Sequence, residues 1–179
     1  MQSPVNDGCI RGEGMERATE RPNDGQPAAP RKGCGRPGCA CTLPIGDRFV
    51  LWAIRQWQHD RALPREGSAL HRGFKLAGVC GILPDFAIAM DAVLFGARRP
   101  LHVHRPDCAA VSRDEATLVA LCGLAQGSMD GPLAASLDIL MAPAAARVAA
   151  GKLKVFAAAL GEAGLRLAPP AGEGGGRLN

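Results

Sequence analysis

Between residues 47 and 163 the apolar side chains recur at three- and four-residue spacing, and the interruptions fall on residues that start or stop helices. A chain patterned this way folds by packing helix on helix. The first segment, 47–61, carries Phe49, Trp52, Ala53 and Trp57 as one apolar stripe, with Asp47 as its N-cap and Pro64 beyond its end. The second, 66–79, places Leu70, Phe74 and Ala77 on one face and is weakened by Gly73 and Gly78. The third starts at Pro84, whose fixed φ suits the first helical position. It carries Phe86, Met90, Val93, Leu94 and Ala97, with Gly96 near its end.

The fourth opens on Ser112-Arg113-Asp114-Glu115, the most specific local signal in the chain. It reads as a capping box: the Ser hydroxyl accepts from the third amide of the helix, and the Glu carboxylate reaches back to the cap amide. Two acids in the first turn also suit the helix dipole. This helix runs to Gln126, a fifth covers 131–141, and a sixth starts at Pro143 and ends at Ala163, before Gly164. The expected stripe of the sixth is Val148, Lys152, Val155, Phe156, Ala159 and Leu160.

The expectation is therefore all-α: a compact bundle of five to six short helices over 46–167, with disordered N- and C-terminal segments at 1–45 and 168–179. The leading 45 residues include 13 Gly or Pro and no helical periodicity before Phe49, and the last twelve include six Gly or Pro. Aromatics are 4% with no Tyr, which argues against a β-sandwich or barrel. Apolar residues are 47%, too many for a wholly disordered chain, but 31 of them are Ala. Leu, Phe, Trp and Val must then supply most of the core, at roughly 1.5–3 kcal/mol per buried side chain.

Net charge is +4, with no stripe of Lys and Arg, so nucleic acid is not the expected partner. The most apolar window, 78–97, holds Pro84, Asp85 and Asp91, which a bilayer would not tolerate. Residues 1–7 lack the basic and apolar regions of a signal peptide, and Met15 is an alternative start. These features point to a cytoplasmic chain without a membrane partner, whose seven cysteines are thiols or metal ligands rather than bridges.

Two segments carry candidate chemistry. One is Cys34-Gly35-Arg36-Pro37-Gly38-Cys39-Ala40-Cys41, whose Gly/Pro turn lets thiolates converge on zinc or an iron–sulfur cluster. The other is His102, His104 and Cys108, where two imidazoles two residues apart share a side of an extended chain. If the first and fourth helices ran side by side in the same direction, the two segments would meet and close a zinc site from Cys39, Cys41, His104 and Cys108. Cys80 and Cys122 read as small buried hydrophobes. Residues 33–38 match G-x-G-x-x-G but follow no strand and open no helix. No phosphate-loop, zinc-protease or nucleophile-elbow motif is present.

Trp57, close to Arg48, Arg55 and Arg61, resembles an interface anchor, with Trp57 and Arg55 as the partner-binding pair. The expected function is a non-enzymatic protein-interaction or regulatory module. The alternatives are a zinc or iron–sulfur protein using Cys34, Cys39, Cys41, His102, His104 and Cys108, and a helical enzyme or small-ligand binder with Cys108 as a reactive thiol.

Overall fold

The computed structural model describes residues 38–60 and 68–169. These residues belong to one compact unit. They form six α-helices: α1 (Ile45–Asp60), α2 (Ala69–Leu76), α3 (Leu83–Gly96), α4 (Arg113–Gln126), α5 (Asp130–Leu140) and α6 (Pro143–Glu162). Short 3₁₀ turns lie at Ala40–Thr42 and Cys80–Ile82. Among the described residues the only β pairing is two isolated antiparallel bridges, Cys39 with Ala110 and Ala97 with Met141. The all-α bundle follows from the periodicity.

Helix α6 is the centre, packing on α3, α4 and α5. Its run of small residues permits this, because Ala146, Ala149 and Ala157 are buried and let neighbouring backbones approach. At one end of the α3–α6 contact Gly96 lies against the Ala145 methyl, and at the other Lys152 Nζ donates to Asp85 Oδ1 at 2.6 Å. Residue numbers rise along α3 as they fall along α6, so the two helices are antiparallel. Phe74 of α2, Phe86 of α3 and Phe156 of α6 form the aromatic heart, with ring centroids 5.3, 4.9 and 6.1 Å apart. The two pairs that include Phe86 are tilted and Phe74–Phe156 is stacked, at separations that suit aromatic packing.

Gly73 costs α2 intrinsic stability, yet the packing requires it: the Trp52 indole occupies the space a Cβ there would fill. Gly78 turns the chain out of α2 at φ +74°, a left-handed conformation that glycine takes without steric cost, and lets Val79 N–H reach Phe74 O at 2.9 Å.

Several local expectations need correction. Val148 and Val155 are about half exposed, and the buried stripe of α6 runs instead through Ala146, Ala149, Leu153, Phe156, Ala157 and Leu160. Asp47 lies inside the first turn of α1 rather than capping it. It is buried and accepts the Ala168 N–H at 3.0 Å; burial pushes its carboxyl above the usual value against the pull of that bond. The chain just past α6 is thereby tied to the start of α1, and Gln126 adds to it by accepting the Leu167 N–H at 2.8 Å. Residues 38–44, assigned to the leading segment by the sequence, pack on the bundle, and Cys39 is buried.

Candidate functional site

The N-terminus of α4 gathers most of the residues singled out above. Ser112 and Glu115 form the capping box as read, with the Glu115 N–H donating to Ser112 Oγ at 3.0 Å and the Ser112 N–H to Glu115 Oε2 at 2.8 Å. The Glu115 side chain is fully buried and does more than cap. It accepts from Arg55 Nε at 2.7 Å and Arg55 Nη2 at 2.9 Å, and from the His104 N–H at 2.8 Å and His104 Nδ1 at 2.9 Å. Burial alone would raise its carboxyl. The bonds from Arg55, Ser112 and His104 outweigh that and hold it at about 2. Arg55 also donates from Nη1 to the Cys108 carbonyl at 2.6 Å and from Nη2 to the Ala110 carbonyl at 2.5 Å.

In the same turn of α4, Asp114 accepts from Arg99 Nη1 at 3.0 Å, from Arg99 Nη2 at 2.5 Å and from the His102 N–H at 2.8 Å. The Arg99 bonds, then the His102 amide, bring its carboxyl down to about 2. Two adjacent carboxylates thus pin the extended segment 99–112 around the start of α4. A carboxylate that already accepts five bonds from its own chain has no lone pair left for a substrate. This is the chemistry of a clamp.

The two cysteine- and histidine-bearing segments meet here. The Ala40 N–H donates to Ala109 O at 2.8 Å and the Val111 N–H to Gly38 O at 3.0 Å. They meet although α1 and α4 run antiparallel, not in the same direction: Arg55 reaches Glu115 at the start of α4, while Asp47 and Gln126, at the start of α1 and the end of α4, hold the neighbouring amides of Ala168 and Leu167. The His102 and His104 rings lie on one side, with centroids 4.6 Å apart. Because Glu115 can only accept, the His104 proton sits on Nδ1, which leaves Nε2 turned away from the clamp.

The thiols are less cooperative. Cys34 lies outside the described residues. Cys39 is disulfide-bonded, which departs from the expectation of thiols or metal ligands rather than bridges. Cys41 is exposed, and its Sγ lies 2.8 Å from Cys39 Sγ, a contact rather than a bond. Cys108 is half-buried, and among the described residues no group of three or more His, Cys, Asp or Glu is arranged to hold a metal ion. Cys122 is wholly buried, and its desolvation first, then Asp47, pushes the thiol up to about 12.

The anchor expected at Trp57 and Arg55 is corrected by burial. Trp57 is 6% exposed in the core and Arg55 is sealed against Glu115, so neither offers its side chain to a partner. The exposed apolar surface lies elsewhere. Ile88 and Phe95, two turns apart on α3, and Val148 and Val155, two turns apart on α6, are each more than 40% exposed on neighbouring antiparallel helices. The seven-residue spacing keeps each pair on one side of its helix. Exposed Asp91 of α3 and Arg147 of α6 stand beside them. Sequence reading missed this face because Val148 and Val155 fit a core stripe equally well. No family model, curated protein or solved structure matches the chain.

Proposed function

We propose that this chain is a non-enzymatic protein-interaction module that docks an amphipathic helix of a partner protein on the α3–α6 face. The observation carrying the reading is the pairing of Ile88 and Phe95 with Val148 and Val155 on two packed helices. Two antiparallel helices with apolar residues every second turn make a shallow trough suited to a third helix. Asp91 and Arg147 at its sides would read opposite charges on the flanks of that helix. Leu76, Ile139 and Ile45 are also exposed, but singly, on three different helices. The test is photo-crosslinking in the native cell from position 88, compared with Ala135, an exposed residue of α5. A discrete adduct from position 88 that disappears with Val148→Asp is expected. The same products from both positions would overturn the reading.

A second reading, metal binding at His102 and His104, is favoured by one observation: a histidine whose Nδ1 is held by a carboxylate, as Glu115 holds His104, has its ring fixed with Nε2 as the nitrogen that could ligate a metal. Cys41 and Cys108 would be the thiolates to complete the set. Zinc titration of the reduced protein and its His104→Ala variant decides it, with stoichiometric binding lost in the variant as the supporting result.

A further inference from the structure

Cys80 and His71 form a pair that the helix pattern concealed. Cys80 opens the turn that follows Gly78, and its Sγ lies 3.4 Å from His71 Nε2, a hydrogen-bond distance for sulfur. The backbone fixes both ends. His71 stands in the first turn of α2, where its N–H donates to the Ser68 cap at 3.1 Å. Cys80 is placed by the left-handed Gly78 and by the Val79 N–H bond to Phe74 O. Neither residue is sealed in the core; both are partly exposed. A Cβ at Gly78 or Gly81, on either side of the thiol, would meet no atom within 4 Å, so the turn is open to solvent. Gly78, Val79, Gly81 and Ile82, the neighbours of Cys80 in the chain, line an open cleft of about 460 Å³ together with Ala159, Glu162 and Ala163 at the end of α6.

We propose that Cys80 is a modification site that reacts with small peroxides, with His71 as its base. An imidazole nitrogen within hydrogen-bond distance of the sulfur is placed to take its proton, and the thiolate so formed is the nucleophile. His71 Nε2 takes the Sγ proton, and the thiolate attacks one peroxide oxygen. A sulfur–oxygen bond forms as the oxygen–oxygen bond breaks. Sulfur is oxidised by two electrons to the sulfenic acid, the peroxide is reduced, and the leaving hydroxide takes the proton from His71 as water. The other thiols make internal controls. Cys122 is buried with its thiol pushed up to about 12, and Cys108 is half-buried without a histidine bond among its described contacts.

The experiment treats the whole chain with hydrogen peroxide at neutral pH, traps sulfenic acid with a 1,3-dicarbonyl probe, and maps adducts by peptide mass spectrometry. Cys80 is expected to label at least tenfold faster than Cys108. His71→Ala should remove that advantage, and added imidazole should restore it in the variant, which a merely structural role of His71 would not allow. His71→Gln, checked for native helicity by circular dichroism, guards against loss of fold. Labelling of Cys80 no faster than Cys108, or a rate unchanged in both His71 variants, would overturn the proposal.

Discussion

Glu115 accepts five hydrogen bonds, from Arg55, His104 and Ser112. It caps α4, neutralises a guanidinium from α1 and holds the histidine segment by two bonds. Removing one partner of a buried pair leaves the other charged and unsolvated, so Glu115→Ala should cost about 3–5 kcal/mol in urea denaturation. The pH dependence follows from the same carboxylates. Glu115 and Asp114 both sit at about 2 in the folded chain, below the roughly 4 of an unfolded carboxyl. Depressed folded values mean that their contribution is complete above about pH 5 and is lost as pH falls toward 2. In Glu115→Gln the acid limb of the stability profile should flatten, and an acid limb identical to the parent's would contradict the clamp. The capping half of this role was legible in Ser112-Arg113-Asp114-Glu115. The Arg55 half was not, because nothing local relates residues 55 and 115. The same blindness placed Trp57 and Arg55 at the surface and Asp47 at a cap.

At the scale of the element, starts and stops were written in the sequence. Pro84 and Pro143 open α3 and α6, Ser112 opens α4, and Gly78 and Gly164 lie just past the ends of α2 and α6 with positive φ. Which face each helix buries was legible only where large residues mark it, as Leu70 and Phe74 do on α2. On α6 three alanines share the buried face with Leu153, Phe156 and Leu160 while two valines lie on the exposed side, so periodicity chose a stripe that includes Val148 and Val155. The depth of the α3–α6 contact depends on Gly96, where a methyl would strike Ala145. Gly96→Ala should therefore destabilise the chain by about 1–3 kcal/mol despite its better helix propensity. Equal or higher stability by thermal denaturation would show that the two helices can separate without penalty.

For the whole molecule the decisive contacts are the rings of Phe74, Phe86 and Phe156, which join α2, α3 and α6. Phe156→Ala should cost about 3–5 kcal/mol by chemical denaturation, since it opens a cavity where three helices meet. Val148→Asp, on the exposed side of the same helix, should change stability by less than about 0.5 kcal/mol while abolishing the crosslink from position 88. The contrast separates the core from the proposed docking face within one element. By itself the sequence determined the helical class, the number of helices to within one and most of their ends, because periodicity, prolines, glycines and caps act within a few residues. The tertiary structure decided that α1 and α4 run antiparallel, that Glu115 is a hub, that Cys80 meets His71, and which valines stay outside. Each of those depends on groups distant in sequence being brought together, and their energies exist only once the bundle has closed.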